Sequence, residues 1–221
     1  MKLDPKTIDV LSNFQTINPS VAIQPGSTLR TISVAESVFA TATVPDKFPA
    51  PLAIYDLSKF LAILSLNKEH DIEFKEKFML IKFPDRGNST TKYFYADPQL
   101  IKTPPNKNVK AINEYCQFRL PWDVLSTTLK AMSILKYNEI AFSGDGTRLT
   151  LSAINSKDSD SSSYSTELGE TSKVFNCIIE VEKLKLIHDD YNVRISADGI
   201  ANFKGDLIEY WIMYNGKSEF N

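Results

Sequence analysis

The sequence predicts an α+β protein built from two similar domains, each with two helices packed on a mainly antiparallel sheet. Three observations carry this reading. The predicted elements run helix, strands, helix, strands in each half, the order of α+β layers. Short patterns recur in the same order in the two halves: Asp9-Val10-Leu11-Ser12 with Asp123-Val124-Leu125-Ser126, Thr28-Leu29-Arg30-Thr31-Ile32-Ser33 with Thr147-Arg148-Leu149-Thr150-Leu151-Ser152, and Ile54-Tyr55-Asp56-Leu57 with Ile178-Ile179-Glu180-Val181. One tetrapeptide match is weak; three in order, each on the same predicted element type, mark a duplication. Between the halves lies a stretch around PQLIKTPPNKNVK with three prolines and no regular period, the signature of an extended linker. The expected division is 1–98, a linker at 99–111, and 112–221.

The first helix is well signalled. Asp4 caps it, Pro5 fits the position where a missing N–H costs nothing, and Ile8, Leu11, Phe14 and Ile17 recur at helical spacing until Asn18-Pro19. Val-, Ile- and Thr-rich segments at 21–23, 29–34 and 39–44 read as strands, with Pro25-Gly26 as a turn and Pro45, Pro49 and Pro51 as a loop. A strand at 52–55 runs into a short helix capped by Asp56. Residues 71–83 read as two strands joined near Glu76-Lys77, and 92–95 as another. In the second half, 116–120 is a strand and 121–136 a helix with an apolar stripe of Trp122, Leu125, Leu129, Met132 and Leu135. Strands follow at 139–143 and 148–154 around Gly144-Asp145-Gly146. The Ser- and Asp-rich stretch 155–173 is expected to be mobile over 155–162. A strand at 174–179, a short helix at 181–187, and strands at 191–196, 200–204 and 207–214 complete the pattern.

The chain has 221 residues, 43% of them hydrophobic, enough for one large or two small cores. No apolar run approaches the roughly 20 residues of a membrane span, and Met1-Lys2-Leu3-Asp4-Pro5 lacks a signal-peptide core. A cytosolic location is therefore expected. The net charge of −2 disfavours a tight, sequence-reading DNA grip, although it permits loose enclosure of DNA by a protein with an acidic exterior. Cys116 and Cys177 are too few for a disulfide framework or zinc site, and His70 and His188 have no metal-ligand spacing. Asp189-Asp190 beside His188 resembles the start of a metal-dependent nuclease site but reads as a solvated helix end. Asp158 and Asp160 read as loop-solvating. There is no phosphate-cradling glycine motif and no nucleophile elbow. No catalytic activity, metal or cofactor is expected.

Met1-Lys2-Leu3, Asn13-Phe14 with Thr16-Ile17-Asn18, Ala53-Ile54-Tyr55-Asp56-Leu57 with Phe60-Leu61, and Ile63-Leu64-Ser65-Leu66 resemble the sliding clamps of T4-like bacteriophages. Ala96-Asp97-Pro98, Pro105-Asn106-Lys107, Ile140-Ala141 and Phe203-Lys204-Gly205 extend the resemblance along the chain. It implies the DNA clamp fold and a homotrimeric ring that encircles duplex DNA without reading sequence. It further implies a replicative polymerase, an ATP-dependent clamp loader and late-transcription factors as partners, in the cytoplasm of an infected bacterium. It places basic helix residues toward DNA, and the lysines so positioned here are Lys2, Lys6, Lys59, Lys130, Lys136, Lys183 and Lys185; Ser133 stands where the family would have arginine. It also implies an outer pocket for partner peptides. Our reading of the residues assigns that groove to Leu100 and Ile101 beside Tyr210, Ile212 and Tyr214. Ring closure is expected to pair the edge 92–95 with 163–168 of the next subunit. The competing reading is a structural or assembly protein with a duplicated sheet domain.

Overall fold

The structure is a computed structural model that describes residues 1–67, 69–85, 87, 89–105, 113–158 and 161–220. The chain divides into two compact units, Met1–Asn106 and Lys107–Asn221. Residues 106–111 of the expected linker, and residue 112 after it, lie outside the described residues.

The first unit opens with α1 (Pro5–Ile17). The Asp4 carboxylate accepts the Lys6 N–H at 2.8 Å, and Pro5 occupies the first turn. The buried stripe is Thr7, Val10, Leu11, Phe14 and Ile17. Ile8, expected in that stripe, is only half-buried. Asn18 ends the helix with a fully engaged amide: Nδ2 donates to the Ile32 carbonyl at 2.8 Å, and Oδ1 accepts from the Ser20 N–H and hydroxyl, both at 3.0 Å. A buried amide satisfied on both sides fixes the chain's direction at this point.

β1 (Val21–Ile23) pairs antiparallel with β4 (Leu52–Ile54), and β2 (Gly26–Ile32) with β3 (Val38–Phe48). Val38, Ala40, Ala42 and Val44 alternate into the core, where α1 packs on β3. β3 does not stop at Pro45, as the sequence reading expected. The β2–β3 register jumps from Thr28↔Thr43 to Gly26↔Phe48. Pro45 therefore sits in the irregular stretch, where its missing N–H breaks no ladder bond. α2 (Leu57–Ser65) starts at Asp56, whose carboxylate accepts the Lys59 N–H at 2.8 Å. It buries Leu57, Phe60 and Leu64. β5 (Asp71–Phe74), β6 (Phe78–Phe83) and β7 (Ser89–Phe94) form an antiparallel sheet with β6 central. Phe60 of α2 meets Tyr93 of β7 edge-on at 5.5 Å, and the Tyr93 hydroxyl donates to the Asp56 carbonyl at 3.0 Å. A 3₁₀ turn, Pro98–Leu100, follows.

In the second unit, β8 (Glu114–Leu120) leads into α3 (Trp122–Leu135). β9 (Glu139–Asp145), β10 (Arg148–Ile154), β11 (Tyr164–Glu170), β12 (Val174–Glu180) and the short β16 (Glu219–Phe220) form one sheet, in the order β11-β10-β9-β12-β16. β8 also pairs with β13 (Tyr191–Ser196), which continues through β14 (Ile200–Lys204) to β15 (Ile208–Met213). Each of these pairings is antiparallel. The fully buried Phe142 of β9 touches Phe118 of β8 at 5.3 Å and Phe203 of β14 at 6.1 Å, so an aromatic layer joins the two sheets. Gly144 allows β12 to approach closely, since a Cβ there would lie 2.4 Å from the Lys173 carbonyl oxygen. α3 packs on β10 and β11 through Leu125, Thr128 and Met132, with Trp122, Leu129 and Leu135 half-buried.

One expectation fails here. The helix expected at 181–187 is only a 3₁₀ turn, Val181–Lys183. A seven-residue helix gains little from its own bonds, and tyrosine hydroxyls take over the backbone instead. The Ile187 N–H donates to the Tyr210 hydroxyl at 3.1 Å, and the Tyr191 hydroxyl donates to the Ile187 carbonyl at 2.5 Å. Among the described residues the second unit thus has one α-helix rather than two. The Ser-rich stretch carries β11 over the 163–168 edge expected from the sequence; Ser159 and Asp160 lie outside the described residues.

His70 is buried just ahead of β5, and burial pushes its pKa below the ordinary 6.5. Below pH 6.5 the unfolded chain binds a proton that the folded chain resists. This stability is therefore complete above pH 6.5 and is lost as pH falls toward the depressed value. The melting temperature of the first unit is expected to drop more steeply between pH 7 and 5 in the wild type than in His70→Gln. Parallel pH profiles of the two would contradict the assignment.

Candidate nucleic-acid interface

The seven lysines singled out in the sequence do not form one uniform class. Lys6 and Lys59 stand in the first turns of α1 and α2, on faces turned from the core, and both are exposed. Lys130 lies on the exposed face of α3 with Asp123, Thr127 and Ile134. Lys136 caps α3 in the left-handed conformation at φ 59°, donating its backbone N–H toward the Met132 and Ser133 carbonyls. That conformation is one glycine usually takes at a helix end. Among the described residues these four lysines have no carboxylate within ion-pair distance.

The other three are engaged or less open. Lys2 is exposed, but its ammonium sits on both Glu69 oxygens at 2.8 and 2.9 Å. Lys183 was expected on a DNA-facing helix, and the structure corrects this. Its ammonium is 2.7 Å from Glu180 and donates to the Met213 carbonyl at 3.1 Å, with only 19% of the side chain exposed. A charge neutralised inside its own unit offers little to a phosphate. Lys185 is half-buried in the same non-helical stretch. The exposed helix faces therefore carry few positive charges and mixed signs. Such a face can hold polyanions only weakly, through contacts that position without reading bases.

The expected peptide groove is also revised. Tyr210 and Ile212 are wholly buried. Their face of β15 points into the core, where Tyr210 meets Tyr191 at 6.1 Å. They cannot form a groove wall. Tyr214 is half-buried, and its hydroxyl is committed to the Ser196 carbonyl at 2.7 Å and the Gly199 N–H at 2.9 Å. Ile101 is buried as well, whereas Leu100 is 66% exposed. On β15 the outward face instead carries Met213, 50% exposed. Strand alternation in the sequence showed two faces but not which was inside.

Asp189 and Asp190, the conspicuous carboxylates beside His188, hold the backbone in place. Asp190 accepts the Trp122 N–H at the start of α3 and a nitrogen of Arg119, each at 2.8 Å. Those donors keep its pKa below the usual carboxylate value. Asp189 accepts the Asp206 N–H at 2.7 Å. The Trp122 and His188 rings stack at 4.8 Å. The sequence reading missed this cap, because its residues lie far apart in the chain.

Residues 2–102 match the DNA polymerase processivity factor family, and residues 121–216 match the C-terminal domain of the gp45 sliding clamp. The chain is 32% identical to the sliding clamp of Vibrio phage KVP40, over 96% of this chain and 98% of that protein. It is 29% identical to the sliding clamp of Enterobacteria phage T4, over 99% of this chain and 98% of that protein. Among solved structures it is similar to PCNA from Thermococcus kodakaraensis, with a TM-score of 0.71, 16% identity, and coverage of 95% of this chain and 96% of that one. Proliferating Cellular Nuclear Antigen from Entamoeba histolytica gives a TM-score of 0.66 at 10% identity, covering 95% and 94%.

Proposed function

This chain belongs to the sliding-clamp family of DNA polymerase processivity factors, and on that premise we propose that it closes into a homotrimeric ring around duplex DNA and tethers a replicative polymerase. The observation that carries this reading is the match of both halves, in order, to the two parts of one clamp subunit, on a chain already folded as two antiparallel units. The ring holds DNA by enclosure. The sparse lysines Lys6, Lys59, Lys130 and Lys136, with Lys2 able to exchange Glu69 for a phosphate, supply a weak field. Weak phosphate contacts permit sliding, since tight ones make binding steeply salt-dependent. The clamp performs no chemistry of its own. An ATP-dependent loader opens and closes it on DNA, and late-transcription factors share its outer surface in the cytoplasm of the infected bacterial host. The division at 1–98 and 112–221 separates the two clamp domains.

Primer extension on a long circular template tests this. With polymerase, loader and ATP present, the protein is expected to lengthen products severalfold. Its native mass at micromolar concentration is expected to be three times that of the chain. Unchanged product lengths, or a strict monomer, would overturn the reading.

Leu100 in the first unit and Met213 in the second are exposed apolar side chains, and each is a separate candidate anchor for partner peptides. Methionine repacks easily and suits a site that takes several peptides. Leu100→Ala and Met213→Ala are each expected to weaken binding of a polymerase C-terminal tail peptide, by about 1–2 kcal/mol for an anchor of this size. Calorimetric titration measures it, and unchanged affinity in both would place docking elsewhere.

A further inference from the structure

Among the described residues, β7 and β11 each pair on one side only. The open side of a strand is a row of unpaired backbone groups that native proteins must pair or cover. Both strands have a helix beneath them: α2 reaches β7 through the Phe60–Tyr93 contact, and α3 packs on β11. Joining the two edges between copies would therefore continue both layers, strand beside strand and helix beside helix.

Side-chain parity limits the registers. On β7, Tyr93 faces the core, so Thr90, Lys92 and Phe94 face out. On β11, Ser165 and Glu167 stand beside Ser152 and Thr150, the outward residues of β10, and Ser152 and Ser165 share a hydroxyl contact at 2.8 Å. The register break at Leu149/Thr150 leaves Leu168 as the extra residue, so the regular part of β11 is 164–167. A slip of one residue would turn every outward side chain inward. Of the even registers, charge selects one. Lys92 and Glu167 are both exposed, and among the described residues neither is in an ion pair. Lys92 rests over the Phe78 ring, at 5.2 Å.

We propose that Lys92 of one copy stands directly opposite Glu167 of the next, with Tyr93 opposite Thr166 and Phe94 opposite Ser165, and that this ion pair sets the register of the subunit joint. The inference rests on the ring proposed above. The occupant of the β7 edge is a second copy of this chain, because the same molecule carries an open edge of matching parity and opposite charge. Opposed like charges across a strand pair are destabilising, so charge reversal turns the pair into a repulsion at every joint.

The experiment is sedimentation velocity over a concentration series on the full chain: wild type, Lys92→Glu, Glu167→Lys, and both changes together. Each single reversal is expected to raise the assembly's dissociation constant about tenfold, and the double swap to return it to within about threefold of wild type. Circular dichroism spectra should coincide throughout, since both side chains are exposed. Mixing the two single variants gives a further readout. Oppositely reversed copies match each other but not themselves, so a ring of three keeps one mismatched joint and recovers only partly. Wild-type assembly in both single variants would overturn the register while leaving the ring standing. Failure of the double swap to restore assembly would also overturn it. A wild type that stays monomeric would instead overturn the ring and this joint with it.

Discussion

Replacing Phe142 by alanine is expected to destabilise the second unit by about 3–5 kcal/mol, the range for truncating a buried phenylalanine. The side chain has no exposed surface and lies on β9, which is hydrogen-bonded on both sides. Its ring bridges Phe118 and Phe203 on the opposing sheet. The walls of the resulting cavity belong to two sheets that are each tied by ladders, so they cannot collapse far to fill it. Set against a domain stability of about 5–15 kcal/mol, the loss is a large fraction of the total. Urea denaturation followed by near-ultraviolet circular dichroism would show it as a lower midpoint of the second unit's transition. Phe142→Leu, which keeps most of the volume, should fall well short of it. A change below about 1 kcal/mol for the alanine variant would mean that the aromatic layer does not hold these sheets together.

The largest functional effect is expected from reversing Lys6, Lys59, Lys130 and Lys136 together to glutamate. All four are exposed and stand on α1, on α2, or on α3 and its C-cap, so the fold and the subunit joint should survive. Stimulation of polymerase is expected to drop at least about tenfold at low salt, because twelve glutamates per ring would then oppose phosphate. The deficit should narrow as salt rises, since the screening length shortens from about 10 Å at 0.1 M to about 3 Å at 1 M. Primer extension across a salt series measures both features. Normal stimulation by a correctly assembled variant would show that these lysines do not approach DNA.

What the sequence disclosed follows from how local each determinant is. The starts of α1 and α2 were legible because Asp4-Pro5 and Asp56 carry the cap within one turn. β13 and β14 were legible to the residue because alternation is a two-residue signal, reinforced by Val, Ile and Phe. The failures are non-local. Nothing near 181–187 announces that hydroxyls from Tyr191 and Tyr210 will take its backbone bonds. Pro45 reads as a strand breaker until the jump in the β2–β3 register removes the bond it would have broken. Alternation at Tyr210, Ile212 and Tyr214 defined a face, but only the neighbouring sheet decided that it was the inner one. Lys183 looked like any helix lysine because its partners, Glu180 and the Met213 carbonyl, depend on a turn that replaced the helix.

The pairing of β8 with β13 has a consequence in time. β8 begins the second unit, yet α3 and four strands, β9 to β12, come between it and its partner in the chain. The strands of the first unit find theirs sooner, β2 in β3 and β6 in β5 and β7. Closing a long loop costs entropy before any contact repays it. During synthesis the first unit can close while the second is still incomplete, and β8 must wait with its backbone unpaired until β13 emerges. The second half is thus the slow half of the molecule to complete its sheets.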